Sequence, residues 1–195
     1  RVNWSEALSF AQWLGQQSGE PCSLPTEAQW EWACRAGSAE AMSYGNLDAD
    51  FGKIANLADA SVRRLAVAGI NPQPIPNPTP FQDFLPKDAR FDDGERLMCD
   101  VAKYAPNAWG LHDMHGNVCE WTLSAYRPYP YSDSDGRNDL NLQEKRVVRG
   151  GSWSDRPIRA RAAFRLPYQS WQSIHNVGFR VMIPCTQSPE KLAAK

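Results

Sequence analysis

A twelve-residue stretch just past the middle of the chain, Gly110 to Trp121, restricts the possible folds more than any other segment. Its two glycines permit backbone conformations that other residues resist, while Asp113, Asn117 and Glu120 supply hard oxygen donors. A backbone bent at Gly116 can also turn carbonyl oxygens inward, and Ca²⁺ prefers such an oxygen set. The alternative from the residues alone is a turn in which the Asp and Asn side chains cap their own backbone while the tryptophan fills the core.

The composition favours one irregular globular domain. A chain of 195 residues with 42% hydrophobic content can bury a substantial core, but it is short for two domains. Eight Trp, six Tyr and seven Phe can fill a core that has few regular elements, and thirteen Gly with fifteen Pro indicate irregular backbone. No run of residues is long and apolar enough to predict a transmembrane helix, so we expect no membrane segment in this chain.

The charge distribution argues against a nucleic-acid partner. The net charge is −1, and the one locally basic region holds six arginines between Arg146 and Arg165. Arginines at alternating strand positions are usually tied into ion pairs and carbonyl contacts, and we expect that here. The five cysteines form neither a CxxC motif nor a zinc-like spacing, so they indicate no particular compartment. Cys34 is predicted to be a small core residue and not a reactive thiol, because nothing near it in sequence would lower its pKa.

Two helices are predicted near the start of the chain. Apolar residues recur at helical spacing from Ser5 to Gln17, with Phe10 and Trp13 widening the apolar stripe. A second helix follows, because Thr26 with Gln29 three residues later has the pattern of a capping box. Both helices are expected to pack on the same core.

The rest of the chain predicts strands and loops. Three short runs are strand-like: Arg146 to Gly150, Arg159 to Phe164 and Val177 to Ile183. The aromatic, amide-rich segment from Leu166 to His175 is typical of a loop that binds ligands. Proline at every second position from Asn71 to Pro80 predicts an extended, polyproline-like surface segment.

Four segments, in the same order along the chain, resemble the signature of the formylglycine-generating enzyme (sulfatase-modifying factor) superfamily. They are residues 24–33 (LPTEAQWEWA), 110–121 (GLHDMHGNVCEW), 146–153 (RVVRGGSW) and 176–181 (NVGFRV). The resemblance implies an α+β, irregular C-type lectin-like fold with two N-terminal helices, short antiparallel strands and much loop. It also implies a single domain over residues 1–185 with a tail at 186–195. Because residue 1 resembles a point well inside the family domain, we expect the chain to be part of a longer protein.

The resemblance implies two calcium sites. For the first site it assigns as ligands Asn56, the Leu57 carbonyl, Asp93 and the Glu95 carbonyl. A plain turn is the alternative for the segment from Asp92 to Gly94.

For the second site it assigns Asp113, the Gly116 and Val118 carbonyls, and Glu120. Relatives often have Asn at the position of Asp113, and the added negative charge should not weaken cation binding. His112 and His115 lie three residues apart, but two histidines without a third ligand do not predict a transition-metal centre.

The resemblance does not extend to the catalytic residues. Copper-dependent members of the superfamily carry two cysteines five residues apart after the Gly-Gly-Ser segment, and they use Cu(I) to oxidise a sulfatase cysteine. The corresponding positions here are Asp155 and Ala160. Soft thiolates are the ligands that Cu(I) prefers, so we expect no copper. The family's non-haem iron sulfoxide synthases bind iron through histidines of a preceding helical domain that this chain lacks, so we expect no iron either.

The sequence therefore predicts a calcium-stabilised, non-catalytic recognition or accessory domain. The alternative is an oxygen-dependent oxidase of the same superfamily whose metal ligands lie outside this chain. A protein or peptide ligand is expected at the face formed by residues 152–175. The residues predicted to line it are Ser152, Trp153, Asp155, Arg159, Tyr168, Trp171 and His175.

Overall fold

The computed structural model describes residues 1–65 and 86–184. The predicted extended segment at 71–80 and the tail at 186–195 lie outside the described residues. Two α-helices come first, α1 (Trp4–Ser18) and α2 (Glu27–Arg35). Four strands follow late in the chain, β1 (Cys119–Ala125), β2 (Arg146–Arg149), β3 (Leu166–Tyr168) and β4 (Val177–Phe179). This mixture of elements confirms the predicted α+β class.

Both helices begin where a side chain caps the backbone. Thr26 and Gln29 form the predicted capping box at α2, and Asn3 and Glu6 form an equivalent one at α1 that the sequence analysis missed. The predicted stripe of α1 was too wide. Phe10 is 45% exposed and Trp13 is 51% exposed, because the sheet covers only the narrow face that carries its buried alanines.

The sheet is mixed, with the strand order β3-β2-β1-β4. β1 pairs antiparallel with β2 and parallel with β4, and β2 pairs antiparallel with β3. The parallel pair corrects the expectation of antiparallel strands alone. The central strand β1 was not predicted, although its residues alternate between apolar and polar, because its first three residues belong to the motif at 110–121 that was interpreted as a loop. Six of its seven residues are buried, so its polar side chains also lie in the interior.

The predicted strand from Arg159 to Phe164 is wrong. A 3₁₀ turn spans Pro157–Arg159, with proline at its start fixing the backbone, and irregular turns follow. The small residues Ala160 and Ala162 are fully buried there, since Ala160 belongs to an apolar cluster with Phe51 and Leu57 and Ala162 to one with Trp30 and Cys34 of α2. Strand β3 begins just afterwards, within the stretch that was predicted to be a loop.

A fully buried carboxylate ties α2 to the sheet and its loops. Glu27, at the start of α2, accepts hydrogen bonds from Arg165 at 2.7 and 2.8 Å and from Arg137 at 2.9 Å. Arg149 of β2 lies 3.5 Å away. The Glu27 backbone N–H also donates to Ser124 Oγ of β1 at 3.0 Å. Of the basic region, the two strand arginines Arg146 and Arg149 are buried. This confirms that they form ion pairs and carbonyl contacts, since Arg146 donates to the Leu123 carbonyl and Arg149 pairs with Glu27 and Glu31.

We predict that Glu27→Gln lowers the free energy of unfolding by about 3–5 kcal/mol, because it leaves buried guanidinium groups without their shared counter-charge. Chemical denaturation measures this change. The matched control is Glu31→Gln on the same helix, whose side chain is partly exposed and paired with Arg35 and Arg149. Equal losses in the two variants would contradict the central role of Glu27.

Candidate functional site

The structure brings the two predicted calcium loops into direct contact. The Asn117 N–H donates to the Asn56 carbonyl at 2.8 Å. Gly116 has φ +81°, and a Cβ at this position would lie 2.1 Å from the Asn56 carbonyl oxygen. Only glycine permits this close approach. Two segments that lie sixty residues apart in sequence are therefore fixed against each other.

The first predicted loop contains an amide oxygen without a partner. Asn56 is buried, and its Nδ2 donates to the Leu97 carbonyl at 2.8 Å, but its Oδ1 has no hydrogen-bond partner among the described residues. The Asp93 carboxylate lies in the same loop and accepts from the Leu57 N–H and the Glu95 N–H, both at 2.8 Å. A buried oxygen that has no described partner, and a buried carboxylate that accepts from the N–H of Leu57, the next residue after Asn56, are donors of the kind that a hard cation binds.

A second buried carboxylate, Asp59, adjoins the first and was given no role in the sequence analysis. Its oxygens accept from the backbone N–H groups of Asp93 and Ser61. Burial raises the pKa of Asp93 to about 7 and also raises the pKa of Asp59. The two predicted carbonyl ligands each accept one hydrogen bond, from the Asp59 N–H at Leu57 and from the Ser61 hydroxyl at Glu95. Because a carbonyl oxygen has two lone pairs, each retains one for a cation.

The second predicted loop differs in its charge balance. Glu120 is buried and accepts from Arg180 at 2.5 and 2.7 Å and from Trp30 Nε1 at 2.7 Å. Asp113 has φ +56°, and its carboxylate accepts from the Ala102 N–H at 2.7 Å. A cavity of about 270 Å³ lies beside these groups and is also lined by Val118.

Side-chain clusters give no further metal site. Within residues 1–65 and 86–184, no group of three or more His, Cys, Asp or Glu side chains could hold a metal ion. Calcium at either loop would therefore depend on amide and carbonyl oxygens as well as carboxylates. His115 is buried, with Nδ1 2.7 Å from the Ala160 carbonyl and Nε2 accepting from the Ser43 N–H at 3.0 Å. Burial lowers the pKa of His115 to about 4, so it is a neutral core residue.

The predicted ligand face has a buried floor. Asp155 accepts from Ser152 Oγ at 2.6 Å and from Arg159 at 3.2 Å, and Cys119 Sγ lies 3.8 Å from it. Asn176 donates to Ser152 Oγ at 2.8 Å. Cys119 and Asn176 were not among the predicted site residues, because their contacts depend on the parallel pairing of β1 with β4, which was not foreseen.

The outer part of this face is aromatic and exposed. Trp171 is 71% exposed, and His175 and Arg159 are also exposed. The His175 ring packs edge-on against Trp153, with ring centroids 6.1 Å apart. Tyr168 is half-buried and packs edge-on against the core residue Trp121. The structure therefore joins Ser152, Asp155 and Arg159 in one hydrogen-bonded group and packs His175 on the buried Trp153. Trp171 lies mostly in solvent.

The cysteines on the described segments are free thiols, and two of them are buried. Cys22, Cys34, Cys99 and Cys119 are all free. Cys34 is fully buried and its thiol is 3.6 Å from the Met114 carbonyl, which confirms it as a core residue. Burial raises the pKa of Cys34 and raises that of Cys119 well above its ordinary value. Both thiols therefore stay protonated and are poor nucleophiles.

An irregular α+β domain with two capped helices, a small mixed sheet and long loops defines the class of fold seen in formylglycine-generating-enzyme-like proteins. PvdO from Pseudomonas aeruginosa superposes with a TM-score of 0.67 at 24% identity, covering 92% of this chain and 59% of that one. Treponema denticola variable protein 1 superposes with a TM-score of 0.67 at 20% identity, covering 92% of this chain and 68% of that one.

The sequence relationship is to one family. The model of the sulfatase-modifying factor enzyme 1-like domain matches residues 1–184, and the chain belongs to this family. The inactive C-alpha-formylglycine-generating enzyme 2 of Mus musculus is 29% identical over 187 residues, which are 92% of this chain and 46% of that protein. The formylglycine-generating enzyme of Streptomyces coelicolor is 29% identical over 185 residues, or 92% and 50%. The chain thus spans about half the length of these relatives.

The two tryptophans of the ligand face are predicted to differ in their effect on stability. Trp171→Ala should leave the free energy of unfolding within about 0.5 kcal/mol of the wild type, because the side chain is mostly in solvent. Trp153→Ala should cost about 3–5 kcal/mol, because its side chain is 6% exposed. Urea denaturation of both variants measures the contrast. A large loss for Trp171→Ala would mean that this residue belongs to the core and not to a binding surface.

Proposed function

We propose that this chain is a calcium-stabilised recognition or accessory domain that does not itself catalyse formylglycine formation. The observation that carries the proposal is the environment of Asp155. This residue stands at one of the two positions where copper-dependent relatives have cysteine, and its carboxylate already binds Ser152 and Arg159. A carboxylate is a hard ligand, and this one already accepts two hydrogen bonds. It is therefore a poor ligand for Cu(I), which prefers soft thiolates.

The second cysteine position supports the same conclusion. Ala160 is fully buried, and a Cβ added to Gly151 would lie 2.9 Å from its Cα. A methyl group packed this closely leaves little room for a thiolate and a metal ion. The one thiol beside Asp155, that of Cys119, is buried and protonated. Two thiolates that could jointly hold Cu(I) are therefore lacking around Asp155 in the described part of the chain.

Calcium would act through the first loop as a structural ion. The residues that would hold it are Asn56 through Oδ1, Asp93 through its carboxylate, and Leu57 and Glu95 through their carbonyls. A bound divalent ion would neutralise the buried carboxylates and crosslink two distant segments. This role requires no redox chemistry.

Recognition is assigned to the face that carries Arg159, Trp171 and His175. Trp171, His175 and Arg159 are all exposed, and a surface with aromatic and basic side chains resembles the composition of protein interfaces. Ser152, Asp155 and Asn176 form a hydrogen-bonded floor. This floor can hold the exposed Arg159 side chain in a fixed arrangement, because Arg159 donates to Asp155. A protein or peptide partner fits such a surface.

The absence of oxidase activity is tested on a peptide that contains the sulfatase motif Cys-x-Pro-x-Arg. We expect no aldehyde after incubation with the chain, Cu(I) and oxygen, because the thiolate pair is replaced by Asp155 and Ala160. Mass spectrometry detects the conversion, and the Streptomyces coelicolor enzyme serves as the positive control. Aldehyde that appears with this chain, or oxygen consumption together with bound copper or iron, would support the oxidase alternative.

Calcium dependence is tested by chelation. With Ca²⁺ about 100-fold above its dissociation constant, binding to the native state should raise the melting temperature by roughly 5–10 °C relative to the chelated protein. Differential scanning calorimetry measures the shift. Asp93→Asn should remove it, while Asp48→Asn, which changes an exposed carboxylate outside both loops, should preserve it. Equal melting temperatures with and without chelator would refute the calcium proposal.

A further inference from the structure

We propose that Arg180 takes the place of a metal ion in the second predicted loop, so that the chain binds one Ca²⁺, at Asn56 and Asp93, and not two. This inference rests on the proposed calcium dependence and states its stoichiometry. It concerns two residues that lie within the family-like segments, Glu120 in 110–121 and Arg180 in 176–181.

The side chain of Arg180 binds Glu120 through two parallel hydrogen bonds. Its Nε donates to Oε2 at 2.5 Å and its Nη2 donates to Oε1 at 2.7 Å. Trp30 Nε1 adds a third donor to Oε2 at 2.7 Å. A bidentate guanidinium–carboxylate pair of this kind is short and strong. The negative charge that would attract a metal ion to Glu120 is therefore already balanced within the protein.

The same guanidinium also contacts the backbone of the loop. Arg180 Nη2 lies 3.1 Å from the His112 carbonyl oxygen and 3.5 Å from the Asp113 carbonyl oxygen. One cationic group thus joins a carboxylate to neighbouring carbonyls, as a metal ion would do in an oxygen-lined loop. A divalent ion at Glu120 would also lie close to this positive charge and be repelled by it.

The first loop has the opposite charge balance. The hydrogen bonds to Asp93 and Asp59 come from backbone N–H groups, and within residues 1–62 and 86–184 no ion pair joins either carboxylate to a basic side chain. Lys103 is nearby but pairs with the Glu95 side chain. The Asn56 Oδ1 is without a partner in this part of the structure. Here a metal ion would supply a positive charge and a bond to Asn56 Oδ1 that no described side chain supplies.

Calcium stoichiometry tests the inference. The chain is stripped with chelator, dialysed against a calcium buffer and analysed by elemental mass spectrometry and titration calorimetry. We expect one ion per chain, none in Asp93→Asn, and one in Asp113→Gly with affinity within twofold of the wild type. Glycine suits the positive φ at position 113 and removes the carboxylate. Two ions in the wild type, or a weaker or lost ion in Asp113→Gly, would overturn the inference while leaving calcium dependence intact. No ion in the wild type would overturn both.

A variant of Arg180 itself gives a second readout. Arg180→Gln removes the positive charge and leaves Glu120 with Asp113 as the acidic groups of the loop. We expect this variant to melt below the wild type in chelator and to gain more thermal stability from added calcium than the wild type gains. A calcium-induced shift no larger than that of the wild type would count against a cation-like role for Arg180. If Arg180→Gln does not fold, the Asp113→Gly stoichiometry decides the question.

Discussion

The buried Glu27 carboxylate is the constraint on which the arrangement of this domain depends. Arginines from β2, from the segment before β3 and from the loop between β1 and β2 converge on it, and its own helix is anchored to β1 through its backbone. Charged groups this deeply buried are stable only when each is paired with an opposite charge and hydrogen-bonded. The network therefore forms in only one arrangement of helix, sheet and loops. The irregular segments around it need little regular structure of their own, because their ends are fixed by these contacts.

The sequence predicted those elements whose signals are local. Both helices carry their own caps and apolar spacing, and the motif around Gly116 identified a loop that the structure holds in an unusual conformation. Strand β1 was not predicted although its residues alternate between apolar and polar, because its first three residues belong to the loop-like motif at 110–121. The strand predicted over 159–164 was wrong for a different reason. Its small and charged residues alternate, but proline and tight packing turn the backbone instead.

The candidate site was predicted in part, for a related reason. Residue types identified the oxygen-rich loops and the aromatic face, and the family resemblance assigned their positions. The partners of those residues come from distant segments and could not be read from spacing. Arg180 lies sixty residues from Glu120 and Asn176 lies twenty-four from Ser152, and each becomes a neighbour only through the pairing of β4 with β1. The charge balance that separates the two loops is therefore a property of the fold.

The contact between Gly116 and the Asn56 carbonyl has an evolutionary consequence. No side chain fits at that point, and the two loops meet there without any intervening group that could absorb a shift. Neither loop can shift unless the other loop shifts with it. A substitution that moves one loop therefore requires a compensating substitution in the other. The opposite holds around Trp171 and His175, where solvent surrounds the side chains. Substitutions can accumulate there one residue at a time.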